Sequence, residues 1–544
     1  MQSLAPAMTK LKKSWQAALR SFLRGKSFLQ ALFAFWIKPE KLKDERKAAA
    51  ASRAIAEFLK EAEELLVDPV EGDRLRTFSS KLKAQFRERL QTHLECMLPS
   101  FNHLLPTGKE TGRYLALDVG GSTLRVALVE LKGRDANQQG CEIVRMISFK
   151  ITPEIKRLEG MAFFDWMAER IYEVIHKDGE VNTEDTIPMG LAWSFPVEQV
   201  SLGGGLLMGM GKGFLATNGL LGKDLGEVIK SASQKRGLKV HLASIINDGS
   251  ATLLSQAYMH AETQFGLILG TGTNMAVHLP VSAVSRSKYG TRPESWFRSA
   301  SHVIVNTELG MFGHDILPLT RWDERLNDSH PRPDFQPFEH LVSGYYLGEI
   351  CRLAIVEAVQ TTGLLGGELP PSLAEPYSLD TEILSRIEAD TSSTLEKALV
   401  AFTSAHPCPI PATPSDIAVI RTLASFISRR SAALLGAAVF SLWELRYETA
   451  TAEKSRTSAE EKPAGEDEDD LAASPRTKVA FNGSVIEHYP DFLPKCQTYI
   501  STLIAGAENP VLATGSIDLV PAVESSIIGA AVALSCALAE DPAA

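Results

Sequence analysis

Twice along the chain a glycine turn joins two short apolar segments. The first is Asp118-Val119-Gly120-Gly121-Ser122-Thr123-Leu124-Arg125, and the second is Leu269-Gly270-Thr271-Gly272-Thr273-Asn274. Alternation and β-branched content predict strands over 114–119 and 123–131 around the first turn, and over 265–270 and 274–279 around the second. A strand–turn–strand unit used twice predicts two related α/β lobes facing a cleft. The 544 residues also exceed what one compact core supports. Either turn alone is an ordinary strand connection. As a pair they point to phosphate binding, because glycine leaves no side chain between the backbone amides and an anion. Gly120, Gly121, Ser122 and Arg125 are the candidates in the first turn, and Thr271 and Gly272 in the second. Asp118 can hold magnesium there, directly or through water, since that ion prefers carboxylate and water oxygens.

The remaining segments fit an α/β alternation. Strands are expected at 142–151, 188–193 and 239–246, and helices at 163–176, 223–235 and 250–260. Asp248 falls where a strand hands over to a helix, and Asn247-Asp248 there reads equally as a helix N-cap. The expected domains are a basic and apolar arm (1–45), a helical part of the large lobe (46–106), a small lobe (107–246) and the large lobe (247–540). Within the last, residues 451–476 carry the acidic run 466–470 and are expected to be a disordered or solvated insertion.

Charge and cysteine usage exclude some partners. A formal net charge of -10 argues against nucleic acid. The six cysteines stand singly with no CxxC pair, which fits reduced thiols in a cytoplasmic protein and no cysteine metal site. The first forty residues differ. Lys10, Lys12, Lys13, Arg20, Arg24 and Lys26 interleave with apolar residues, and a nearly apolar run over 28–37 follows. That run is too short to span a bilayer, which needs roughly 20 apolar residues. Residues 10–37 therefore read as an arm for a membrane surface or a mitochondrial address, or as a helix docked on its own protein.

The segment Pro106-Thr107-Gly108-Lys109-Glu110-Thr111-Gly112-Arg113-Tyr114-Leu115-Ala116-Leu117-Asp118-Val119-Gly120-Gly121 resembles the eukaryotic hexokinase family. Ser194-Phe195-Pro196, Gly211-Lys212-Gly213-Phe214, Asn247-Asp248, Gly270-Thr271-Gly272-Thr273-Asn274, Asn306-Thr307-Glu308 and Phe338-Glu339 follow in that family's order. The resemblance implies the actin-like, two-lobe sugar kinase fold and ATP-dependent phosphorylation of a hexose (glucose, mannose or fructose), with magnesium. It implies that Asp248 takes the proton of the 6-hydroxyl. Ser194, Lys212, Asn247, Asn274, Glu308 and Glu339 would hold the other hydroxyls, and Gly483 and Ser484 would lie against the nucleotide.

Several positions depart from the family's pattern. Thr123, Gly211, Gly249 and Ala251 replace its Asn, Thr, Thr and Gly, and Asn482 replaces an Asp. Its Gly-Ser-Gly turn before the last helix reads Ser525-Ser526-Ile527. A β-branched Ile527 at a position needing φ > 0 is expected to be strained or to misdirect the amides that meet the nucleotide. Two expectations stand side by side: a hexose kinase of reduced activity, and a sugar-binding regulator with protein partners, as the family includes in fungi. An actin-like ATPase with no sugar substrate is the third reading, and the ordered sugar-site residues argue against it.

Overall fold

The computed structural model describes residues 53–134, 140–176, 186–211, 213–460 and 475–540, with side chains through 456 and 539 at two helix ends. The arm expected over 10–37 and the candidate Lys212 lie outside the described residues.

Helices α1 (Ile55–Leu66) and α2 (Gly72–Thr92) lead into the short strand β1 (Leu98–Pro99). Strands β2 (Thr111–Val119), β3 (Thr123–Lys132) and β4 (Cys141–Lys150) precede helix α3 (Met161–His176) and strand β5 (Ile187–Trp193). A small hairpin of β6 (Val197–Gln199) and β7 (Gly205–Leu207), helix α4 (Leu225–Gln234) and strand β8 (Val240–Ile246) complete the first half. The second half opens with α5 (Asp248–Met259), then β9 (Thr263–Leu269), β10 (Thr273–Pro280) and β11 (His302–Asn306). Helices α6 (Pro337–Val342), α7 (Gly344–Thr362) and α8 (Pro414–Glu460) follow, then β12 (Arg476–Asn482), α9 (Phe492–Ala505), β13 (Ser516–Pro521) and α10 (Ser525–Glu540), with shorter helices between.

The two sheets share one plan. In the five-stranded sheet, β4-β3-β2 form an antiparallel meander, and β5 then β8 add in parallel. In the six-stranded sheet, β11-β10-β9 form the meander, and β12 then β13 add in parallel, with β1 on the far edge. Both glycine turns therefore occupy the same place, between a meander's inner and middle strands. Each sheet has its own core. Phe163, Phe164, Met167 and Ile171 of α3 and Leu225 and Ile229 of α4 fill the smaller one. The larger one takes α1, α2, α7 and α8. α8 is long and apolar enough to cross a membrane, yet 83% of its most apolar window is buried inside the protein, so it serves as the spine of that core.

The insertion expected over 451–476 is narrower than its composition suggested. α8 continues to Glu460 and β12 begins at Arg476. The stretch is rich in Ala, Glu, Lys and Arg, good helix formers, and extending an existing helix avoids the cost of nucleation. The acidic run itself lies outside the described residues.

A third core lies between the sheets, built from α5 and α10. α10 comes from the chain segment assigned to the large lobe but packs on β2, β5 and β8 of the small-lobe sheet as well as on α5. The residues here are small: Ala116, Ala192, Ala251, Ala276, Ala530 and Ala531 are all buried. Where the helices cross, a Cβ on Gly529 would stand 2.2 Å from the Ala251 carbonyl oxygen, so only glycine permits this approach.

Candidate active site

The wall of the cleft is written in the antiparallel register of the large lobe. Asn274 is the second residue of β10 and Asn306 the last of β11, and hydrogen bonds run from Asn274 through Asn306 to Glu308. Asn274 Nδ2 donates to Asn306 Oδ1 at 2.9 Å, and Asn306 Nδ2 donates to Glu308 Oε1 at 2.8 Å. Asn274 Oδ1 accepts from the Met275 amide at 2.8 Å, which fixes its orientation. Glu308 itself has φ 52, a left-handed backbone uncommon outside glycine, which turns its carboxylate away from the line of the strand. Burial, with the Asp248 charge adding to it, holds the Glu308 carboxyl above its ordinary range against the pull of the Asn306 hydrogen bond. The Asp248 charge acting on Glu308 links the first turn of α5 to this wall. Sequence reasoning passed over Asn306, although it stands two residues before Glu308, at the end of the strand that leads to it.

Asp248 is the first residue of α5, and Asn247 caps that helix by accepting from the Ser250 amide at 2.7 Å. The N-cap reading and the site reading of Asn247-Asp248 are thus both realised in one turn. Asp248 Oδ1 accepts from the Gly249 amide at 2.7 Å. Glu339, on α6, reaches the second hairpin, where its Oε2 accepts from the Thr273 amide at 2.9 Å. Ser194 follows β5 on the small lobe, exposed, with its amide donating to Val119 O at 3.2 Å beside the first hairpin.

The residues expected on the nucleotide side gather in two groups. In the second hairpin, Gly270 N donates to Gly272 O, while Gly344 N and Tyr345 N at the start of α7 donate to Gly270 O and Thr271 O. Gly483 comes down on this hairpin so closely that a Cβ there would lie 2.3 Å from Leu269 O, and its φ is 131. Ser484 is carried with it, its amide 3.4 Å from where a Cβ on Gly270 would stand. In the first hairpin, Gly120 N donates to Thr123 O at 3.0 Å, closing the turn. Asp118, almost fully buried at the end of β2, takes Arg125 Nε and Nη2 on its Oδ2 at 2.8 and 2.5 Å. Arg125 Nη1 goes to Glu524 at 2.5 Å. Burial pushes the Asp118 carboxyl up from its ordinary value, against Arg125, and Glu524 adds to the rise. No group of three or more His, Cys, Asp or Glu suited to a metal occurs among the described residues. Asp118 Oδ1 receives no hydrogen bond there, so the donor set fits a magnesium ion carried by a nucleotide and touching one carboxylate.

Three departures from the family pattern change meaning in this setting. Ile527 is neither strained nor part of a turn: α10 already begins at Ser525, and Ile527 N donates to Glu524 O at 3.1 Å. Its side chain is fully buried in the core between the sheets. The left-handed residue sits three positions earlier, at Glu524 with φ 50. Ser525 is likewise absorbed, its Oγ accepting from Thr252 Oγ1 at 3.0 Å. Gly211 has φ 62, a conformation that suits glycine and strains threonine.

Two family models, both described as hexokinase, match residues 62–258 and 264–536. The chain is similar to the hexokinase of Schwanniomyces occidentalis, 31% identical over 409 residues, with 72% of this chain and 83% of that one covered. It is also similar to Hexokinase-1 of Saccharomyces cerevisiae, 29% identical over 443 residues, covering 80% and 83%. Among solved structures it is similar to the hexokinase from Schistosoma mansoni complexed with glucose. That match has a TM-score of 0.70 and 26% identity, and covers 89% of this chain and 100% of the other.

Proposed function

The chain belongs to the hexokinase family, and from that premise we propose that it transfers the γ-phosphoryl group of ATP to the 6-hydroxyl of a hexose, glucose or mannose first, with Asp248 as the base. The observation that carries this reading is the hydrogen-bonded wall Asn274–Asn306–Glu308, with the Asp248 charge acting on its last carboxylate. A sugar is a ring of paired donors and acceptors, so a site for it needs amides and carboxylates already held in place. The wall supplies them, and Ser194, Lys212, Asn247 and Glu339 are the further hydroxyl partners proposed.

The base must be ionised to accept a proton yet basic enough to want it. The N-terminus of α5 favours the carboxylate at Asp248, whose Oδ1 already accepts from the Gly249 amide. In-line attack needs the 6-oxygen held near the γ-phosphorus, which is the task of the hydroxyl partners. Asp118, oriented by Arg125, is the carboxylate proposed to meet magnesium on the nucleotide, whose charge would offset that of the phosphates. Lobe closure over the sugar would exclude water, the competing acceptor. Ile527 stands in a regular helix, so strain there does not count against the kinase reading, and the wall that reading needs is present from Asn274 through Asn306 to Glu308.

The test is hexose-dependent ADP release by the purified protein. Asp248→Ala should lower kcat by roughly 10²–10⁴ while glucose binding persists. Full turnover in that variant would give the proton to another group.

A further inference from the structure

Arg125 lies directly opposite Asp118 in the β2–β3 register, and its third nitrogen leaves that sheet to meet Glu524. The three side chains thus tie the first glycine hairpin to the segment between β13 and α10. Their charges are two carboxylates and one guanidinium, net negative by one. Without Glu524 the set would be neutral. Glu524 is not on a loose loop. Its carbonyl accepts from Ile527 N and Ile528 N at 3.1 and 3.0 Å, so the first turn of α10 fixes its left-handed backbone. A strained residue held this firmly calls for a reason.

We infer that Glu524 is a positioning residue for the divalent ion of a metal–nucleoside triphosphate: by sharing Arg125, it leaves Asp118 with net negative charge and one oxygen open to that ion. The inference rests on the kinase reading. Arg125 gripping Asp118 alone would cancel the charge that attracts a cation. Arg125 gripped from both sides instead orients Asp118 without neutralising the set, and its Nε and Nη2 use only Oδ2. Glu524 does this from across the fold, 399 residues away in sequence, which is why no motif marks it.

The experiment is calorimetry on the full chain in saturating glucose, titrating Mg·ATP and, separately, ATP in EDTA. Native protein, Glu524→Gln and Glu524→Asp are compared. Gln keeps the shape and removes the charge, so Mg·ATP should bind about tenfold more weakly, with metal-free ATP unchanged or tighter. Asp keeps the charge and tolerates left-handed backbone, and should recover most of the loss. Equal weakening of both nucleotide forms would make Glu524 a structural residue and overturn the inference, as would no change in either. Native protein that binds neither form would bring down the kinase reading as well. Native binding with an unaltered Gln variant removes the present inference alone.

Discussion

Helix α5 joins two regions built on opposite principles. Its first turn faces a polar wall in which each amide and carboxylate is oriented by the next, from Asn274 through Asn306 to Glu308. Its body runs through an apolar seam of alanine and glycine, shared with α10, where helices and sheets come close enough that shape alone decides what fits. Most of the chain's departures from its family's pattern fall in or beside the seam: Gly249, Ala251, Ser525 and Ile527. Three of them have close neighbours there. Ala251 meets the bare backbone of Gly529, Ser525 meets Thr252, and Ile527 fills the space between the sheets. The wall keeps its acids and amides. A substitution inside a packed seam is judged by volume and partners, not by its distance from a consensus.

The largest expected effect tests the seam. Ile527 is fully buried, so Ile527→Ala should cost ~2–5 kcal/mol of stability, the lost burial plus the cavity left behind. Denaturant unfolding reads this directly. Nucleotide affinity should not improve. If Ile527 obstructs the nucleotide instead, the variant will bind ATP more tightly at little cost in stability, and the contrast between seam and wall collapses.

The wall gives the next effect, in a different observable. Asn306→Ala leaves Asn274 Nδ2 and Glu308 Oε1 without their partner, and hexose binding should weaken by ~1–3 kcal/mol. Unfolding stability should fall less than for Ile527→Ala. A glucose titration by calorimetry, set beside the unfolding curve, separates the two regions. Loss of stability with unchanged glucose affinity would mean the Asn306 link serves the fold rather than the site.

These residues also show what could be read from the chain alone. The two hairpins were legible because strands declare themselves by alternation and glycine turns by composition. The expected strand over 123–131 differs from β3 by one residue. The expected helix over 223–235 begins two residues early because Asp224 is the N-cap of α4. Asn306 was within view, quoted beside Glu308, but its role depends on cross-strand register that only pairing reveals. Glu524 had no signal at all, since its partner is on another sheet. Of the two outcomes expected for Ile527, strain is not met, because the left-handed residue is Glu524 and the helix has already begun at Ser525. Backbone angles of that kind follow from packing around the turn, not from the residues in it.

The smallest effect lies inside the wall and links it to α5. Glu308 is held above the ordinary carboxylate range by burial and by the Asp248 charge. An ionised carboxylate accepts sugar hydroxyls more strongly than a neutral one. Glucose affinity should therefore fall on acidification, beginning above the pH at which an exposed glutamate titrates, about 4.3. Stability responds the other way. A carboxyl whose folded value is raised favours the native state fully below its unfolded value, and that contribution is lost as pH rises through the folded value. Acid should thus weaken glucose binding while the Glu308 contribution to folding improves, an opposition that a single titrating wall residue explains. Asp248→Asn removes the facing charge, so the loss of glucose affinity should begin at lower pH than in the native protein. Glu308→Gln should flatten this part of the profile altogether. Calorimetric glucose titrations across the acidic range, on all three proteins, decide it. An onset that stays put in Asp248→Asn would mean Asp248 does not face Glu308 in solution, and the wall would end short of α5.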